Sequence, residues 1–222
     1  MNNKFKILII EDELNICHFV KTILESNGYQ VVDAHSGSVG KMQYLSHCPD
    51  LVILDLGLPD IDGNDLISFM RESSATPIIV LSARSHESDK VNALDLGAND
   101  YMTKPFGTEE LLARVRATLR NSRQKLDADG VVRSSYTVNG LLIEYDRRRI
   151  TVKGEEVKLT QTEYNIVELL ATHSGRVLTY TEIINKIWRY ADPGSVKKLQ
   201  VNMANIRKKL GEKGGSMQKD YI

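Results

Sequence analysis

The chain has 222 residues, room for about two domains, and its 41% hydrophobic and 26% charged content is globular, which excludes a disordered chain. Its formal net charge of zero hides a division: residues 1–122 carry 11 Lys+Arg against 17 Asp+Glu, residues 123–222 carry 18 against 12, so an acidic module precedes one suited to a polyanion. No apolar stretch approaches the ~18 residues of a membrane helix, and Met1-Asn2-Asn3-Lys4 leads straight into a strand, so membrane insertion is excluded and a cytoplasmic location is expected.

The first half alternates strands and helices. Lys6 to Ile10 reads as a buried strand, followed by a helical pattern on Ile16, Phe19, Val20, Ile23 and Leu24. Val31-Val32 comes next, then a helix near Val39 to Leu45 and the strand Leu51-Val52-Ile53-Leu54, which ends at Asp55. A helix near Leu66 to Met70, the strand Ile78 to Leu81 ending at Ser82, and a helix through Val91, Leu94 and Leu96 continue the alternation. It closes with Asp100-Tyr101-Met102-Thr103, Lys104-Pro105, and a helix from Thr108 to Arg120. Five such repeats predict an α/β, doubly wound, five-stranded parallel sheet of flavodoxin-like order 2-1-3-4-5. That order sets the first and third strands side by side, so Glu11, Asp12 and Glu13 converge with Asp55 at the carboxyl edge. Two unit charges about 4 Å apart repel by roughly 4 kcal/mol at an effective dielectric near 20, so the cluster calls for a cation. Mg²⁺, a hard ion that takes carboxylate oxygen, suits it. Ser82 and Lys104 bring a hydroxyl and an ammonium to the same edge.

Residues 123–135 are polar and without apolar period, and read as a linker. Short strands follow at Tyr136 to Val138, Leu141 to Tyr145, Arg149 to Val152 and Val157 to Leu159, with Asn139-Gly140 and Lys153-Gly154 as turns. Thr160 with Glu163, and Thr179 with Glu182, are capping boxes opening two helices. A third helix runs from near Ser195 to Leu210, with Leu199, Met203, Ile206 and Leu210 on its core face. Lys197, Gln200, Val201, Ala204 and Lys208 lie opposite, flanked by Lys198, Asn202, Asn205 and Lys209. Cys17 and Cys48 have no pattern, and His18, His35, His47, His86 and His173 share no ligand spacing with them, so neither a structural zinc nor a disulfide is expected.

Glu11-Asp12, Asp55, Ser82-Ala83 and Lys104-Pro105-Phe106, each after its strand, together resemble the receiver domain of bacterial two-component response regulators. The resemblance covers residues 4–122 and implies that Asp55 is the phosphoacceptor. It further implies that Glu11, Asp12, Asp55 and the backbone carbonyl of Gly57 hold Mg²⁺, that Lys104 meets the phosphoryl oxygens, and that Ser82 and Tyr101 form a switch. Lys104-Pro105 is cis in that family. Taken singly, Ser82 reads equally as a cap and Tyr101 as a core tyrosine. Asp60, Asp62 and Asp65 fail the spacing of a calcium loop and read as turn and cap acids. A dehalogenase-type phosphatase would place a second Asp where Gly57 stands, and no Walker loop occurs, so no enzyme activity beyond slow self-dephosphorylation is expected.

The second half resembles the winged-helix effector of the OmpR/PhoB class, an α+β domain whose third helix enters the major groove. That likeness implies DNA contacts from Lys197, Lys198, Gln200, Val201, Asn202, Ala204, Asn205 and Lys208, and Trp188 reads equally as a phosphate contact or as core. The implied partners are a sensor histidine kinase, promoter DNA and a second copy upon phosphorylation. Lys90 would meet Glu110, Asp100 would meet Arg114, and Asn99 would face Asn121 across the twofold axis. The domains are then a receiver at 1–122, the linker at 123–135, and a winged helix at 136–222 whose wing is cut short at Asp220-Tyr221-Ile222. Residues 79–107, Gly57-Leu58-Pro59-Asp60 and the Val196 to Leu210 helix resemble most the subgroup regulating the Kdp potassium-uptake operon. The rival function is a phospho-switched scaffold acting through protein contacts.

Overall fold

The computed structural model describes residues 4–123, 135–189 and 191–214. The chain divides into two units, one of them Phe5–Arg123. In that unit the elements are β1 (Lys6–Ile10), α1 (Leu14–Ser26), β2 (Gln30–Ala34), α2 (Gly37–His47), β3 (Leu51–Leu54), α3 (Gly63–Ser73), β4 (Ile78–Ser82), α4 (Glu87–Asp95), β5 (Asp100–Thr103) and α5 (Thr108–Arg123). All strand pairs are parallel and the order is β2-β1-β3-β4-β5, as the alternation predicts.

Because successive side chains of a strand point to opposite faces, the continuous apolar runs feed two cores. Ile7, Ile9, Ile53, Leu81 and Met102 pack with Cys17, Val20, Leu24, Leu111 and Val115 of α1 and α5. Leu8, Ile10, Val52, Leu54 and Val80 pack on the other face with Tyr44, Leu66, Ile67, Met70 and Ala93 of α2, α3 and α4. α4 differs from its expected packing: Val91 and Leu94 are exposed, and Ala93 is its buried residue.

Asp60, Asp62 and Asp65 are cap and turn acids, as read. Asp62 caps α3 by accepting from the Asn64 amide at 2.9 Å. Asp60 caps a helix distant in sequence, accepting from the Gly37 amide at 2.7 Å and the Ser38 hydroxyl at 2.6 Å at the start of α2. Gly63 begins α3 where a Cβ would stand 2.6 Å from the Leu56 Cα and 2.7 Å from the Asp55 carbonyl oxygen. No other residue lets α3 approach the loop after β3 so closely.

The second unit holds β6 (Ser135–Val138), β7 (Leu141–Glu144), β8 (Arg149–Val152), β9 (Glu155–Glu156), α6 (Gln161–Thr172), α7 (Tyr180–Trp188) and α8 (Ser195–Gly214). The four strands form an antiparallel sheet in sequential order. Val157 to Leu159 is not a strand: β9 is the pair just before it, and Val157 and Leu159 are instead buried against the helices. Asn139 and Gly140, then Lys153 and Gly154, all have positive φ, the backbone that a two-residue hairpin loop demands. Both capping boxes form, at Thr160/Glu163 and Thr179/Glu182. Leu199, Ile206 and Leu210 are buried, with Met203 packed at the core's margin. Most of the expected linker and the expected end of the wing lie outside the described residues.

Candidate functional site

Four strand ends build the acidic edge. β1 delivers Glu11 and Asp12, β3 delivers Asp55, β4 ends at Ser82, and Lys104 follows β5 with a cis peptide bond to Pro105. The β1–β3 register pairs Ile10 with Leu54, so the next residues of each strand, Glu11 and Asp55, emerge together. Glu11, Asp12 and Asp55 each offer a carboxylate oxygen, and these atoms lie within 4.8 Å of one another. The Lys104 Nζ stands 2.7 Å from Asp55 Oδ2 and 2.8 Å from Glu11 Oε2, with Glu13 at 3.4 Å. Gly57 contributes its amide, which donates to Asp55 Oδ1 at 3.0 Å. The sequence therefore brings the expected acceptor, acids and lysine to one place.

Burial makes this cluster electrostatically tense. It pushes the Glu11 carboxyl up to about 7, with Asp55 adding to the rise, while the bond from Lys104 opposes it. For Lys104, burial favours the neutral amine, but bonds to Asp55 and Glu11 outweigh it and hold the ammonium above its usual range. One ammonium facing three or more acids leaves net negative charge, and every acid presents hard oxygen. Oxygens around an octahedral Mg²⁺ stand about 3 to 4 Å apart, so small side-chain closure turns this cluster into a ligand set for that ion. The residues fit it.

Ser82 is buried, and its Oγ accepts from the Arg84 amide at 3.3 Å. The Tyr101 hydroxyl donates to the Arg84 carbonyl at 2.7 Å, and the half-buried ring rests on the core beneath α4. Arg84 was not among the residues singled out from sequence. Its guanidinium reaches the Leu56 carbonyl at 3.2 Å and Asp62 at 2.8 Å, tying the loop after β4 to the segment that follows Asp55. A cation two places beyond Ser82 was the available signal; its partners, 22 and 28 residues away, were not visible.

Of the expected interface residues, Lys90, Asp100, Glu110, Arg114 and Asn121 lie on α4, β5 and α5. Arg114 binds within its own chain, to both oxygens of Asp100 at 2.9 and 3.0 Å and to Glu110 at 2.9 Å. Asn99 engages its amide oxygen within its own chain, so a bond to Asn121 of another copy would use its side-chain N–H. Its Oδ1 accepts from the Ile78 amide at 2.9 Å and from Arg71 at 3.1 Å, supplying the acceptor that the first residue of β4 needs.

On α8, Lys197, Lys198, Gln200, Val201, Ala204, Asn205 and Lys208 are exposed and Asn202 is half-buried. Lys209 departs from its flanking role: it bonds buried Glu163 at 2.6 Å and fastens α8 to α6. Trp188 packs in the core of this unit, with the Lys198 Nζ 5.2 Å from its ring centroid.

The profile of the response regulator receiver domain matches residues 7–116, and that of the C-terminal domain of transcriptional regulatory proteins matches residues 154–222. The transcriptional regulatory protein KdpE of Staphylococcus aureus is 40% identical over 93% of this chain and 88% of its own length. The response regulator ArlR of the same species is also 40% identical, over 92% of this chain and 90% of its own. Among solved structures, the BeF3-activated N-terminal receiver domain of Klebsiella pneumoniae RstA is 31% identical with a TM-score of 0.51, covering 52% of this chain and 98% of that one. The Francisella response regulator 1452 receiver domain is 32% identical with a TM-score of 0.52, covering 54% and 99%. Receiver domains as a class bind Mg²⁺ at their acidic phosphorylation site, and no helix among the described residues is long and apolar enough to cross a membrane. With a parallel-sheet receiver unit and a DNA-binding unit of the OmpR/PhoB type, this chain belongs to the response regulators of two-component systems, transcription regulators activated by phosphorylation.

Proposed function

We propose that Asp55 takes the phosphoryl group from a phosphohistidine of a sensor kinase. An Asp55 carboxylate oxygen attacks phosphorus, the P–N bond breaks, and the imidazole leaves with the bonding electron pair. The observation that carries this reading is the junction of Asp55 with Lys104 at 2.7 Å and with Glu11 and Asp12 within 4.8 Å, on one edge of a rigid sheet. Transfer of this kind depends on positioning and on neutralised charge more than on covalent help from the protein. Lys104 exchanges its Asp55 contact for a phosphoryl oxygen, and Glu11, Asp12, Asp55 and the Gly57 carbonyl would hold Mg²⁺. When bound, that ion neutralises charge on the transferring group. The acyl phosphate then hydrolyses slowly, and no small-molecule substrate is turned over.

Ser82 and Tyr101 report the modification. Ser82 turns toward a phosphoryl oxygen, vacating space into which the Tyr101 ring moves as its bond to the Arg84 carbonyl breaks. α4, β5 and α5 then form a twofold dimer through Lys90, Glu110, Asp100 and Arg114, and exposed pairs of this kind add only about 0.2 to 1 kcal/mol each. Two copies of α8 read paired half-sites in promoter DNA. Gln200, Val201 and Ala204 meet base edges, while Lys197, Lys198 and Lys208 neutralise phosphates, with Asn202 and Asn205 at the flanks.

Control of potassium-transport genes is the finer proposal. It is supported by the likeness of residues 79–107 to the Kdp subgroup; overall identity does not single it out, since KdpE and ArlR stand equally at 40%. Labelling with acetyl phosphate and Mg²⁺ tests the acceptor: Asp55→Asn should abolish it, and undiminished labelling refutes the assignment. Salt-dependent retention of an operator duplex over random DNA tests the DNA role. Genome-wide DNA capture, with and without Asp55, tests the potassium target.

A further inference from the structure

Outside the acidic edge, Cys17, Asp33 and His35 form a second group of metal-ligating side chains, with one ligand atom of each within 4.8 Å of the others. They come from α1, from β2 and from the turn after β2, so the grouping is a product of the fold and not of spacing in the sequence. They line a cavity of about 380 Å³ shared with Leu14, His18, Lys21, Thr22 and Glu25.

The ring of His35 is already set as a ligand. Its Nδ1 lies 3.2 Å from the Glu11 carbonyl oxygen, which can only accept, so Nδ1 carries a proton and Nε2 is directed at Asp33 Oδ2, 3.4 Å away. Metal-binding histidines characteristically donate their second ring N–H to a carbonyl or carboxylate in this way. The Cys17 sulfur lies beside both residues, within 4.8 Å of a ligand atom of each. Asp33 is held from its other side, where the Lys21 Nζ bonds Oδ1 at 2.6 Å and leaves Oδ2 directed toward His35.

We propose that Cys17 Sγ, Asp33 Oδ2 and His35 Nε2 bind a borderline divalent cation of the zinc class, with water as a fourth ligand. Mixed S, N and O donors select such an ion over Mg²⁺. Around tetrahedral zinc, ligand atoms at 2.0 to 2.3 Å from the metal stand about 3.4 to 3.6 Å apart, so the group closes by roughly 1 Å on binding. Coordination deprotonates the thiol despite its burial. The ammonium of Lys21 opposes the ion, and Glu25, one turn further along α1, offsets it in part. This site is separate from the proposed phosphoacceptor, and its test does not depend on that assignment.

The reduced full-length protein is titrated with Co²⁺ in excess Mg²⁺, which occupies the Glu11, Asp12 and Asp55 cluster. The expected result is a thiolate-to-cobalt charge-transfer band saturating at one equivalent and displaced by Zn²⁺. Cys48→Ser should retain the band and Cys17→Ser should lose it. His35 is half exposed, so His35→Gln leaves the core intact and should weaken the metal at least tenfold; Lys21→Met should tighten it. Circular dichroism verifies that each variant is folded. Absence of the band, its persistence in Cys17→Ser, or unchanged affinity in His35→Gln overturns the proposal.

Discussion

Lys104→Met keeps most of the side-chain volume and removes the ammonium that separates Asp55 from Glu11. The Lys104 side chain is 9% exposed, and Glu11 and Asp55 are 2% and 8% exposed, so water does little to replace it. With their oxygens at most 4.8 Å apart, two ionised carboxylates at an effective dielectric near 20 repel by about 3.5 kcal/mol or more. The independent yardstick for stripping one partner from a buried ion pair is about 3 to 5 kcal/mol, which agrees. Proton uptake by Glu11, already raised to about 7, caps the loss and makes it smaller at lower pH. A unit spanning Phe5–Arg123 melts with an entropy that converts 1 kcal/mol into about 4 °C, so its transition should fall by about 12 to 20 °C in EDTA. Calorimetry of the full chain reads this directly. Mg²⁺ should restore more stability to the variant than to the parent, because the ion no longer competes with an ammonium. A variant that melts within a few degrees of the parent in EDTA, or that gains nothing extra from Mg²⁺, refutes the electrostatic account.

Gly63→Ala drives a methyl into the Leu56 backbone and the Asp55 carbonyl, and should destabilise the receiver unit by about 1 to 3 kcal/mol while slowing acetyl phosphate labelling. Glu163→Ala removes both the capping box and the bond from Lys209, a loss of about 2 to 4 kcal/mol in urea melts followed by Trp188 fluorescence. Glu182→Ala, at the more exposed box, should cost less. The Asp60 carboxyl is lowered to about 2, chiefly by the Ser38 hydroxyl and amide. Its capping of α2 is therefore complete above the ordinary value of 3.8 and lost as pH falls toward 2, and carboxyl NMR should place its midpoint near 2. Lys197→Ala should weaken operator binding and flatten the plot of log K against log salt by about 1; an unchanged slope would place Lys197 away from phosphate.

The parallel sheet and its order were legible because five apolar runs, each bounded by helical periodicity, admit few topologies. The acidic edge followed from that order, since register alone carries Glu11 to Asp55. What escaped depended on contacts spanning many residues. Arg84 reaches Leu56 and Asp62, Lys209 leaves the exposed face for Glu163, and Asn99 serves β4; none of these has a local pattern. The Cys17, Asp33 and His35 group likewise has no ligand spacing along the chain, because the fold assembles it from α1, β2 and the turn after β2. Val157 to Leu159 was misread because alternation in a short apolar run serves a buried loop as well as a strand. On α4, Val91 and Leu94 are exposed and Ala93 is the buried residue, so the apolar period of a short helix did not mark its core face.

Arg114 is engaged at home, gripping both oxygens of Asp100 and reaching Glu110 one turn earlier on its own helix. In the proposed dimer, a partner's carboxylate that took over one of these bonds would first have to displace an existing one, and swapping like for like yields little. If copies meet as proposed, the solitary molecule carries its own restraint on that meeting, and a rearrangement that frees the guanidinium would lift it.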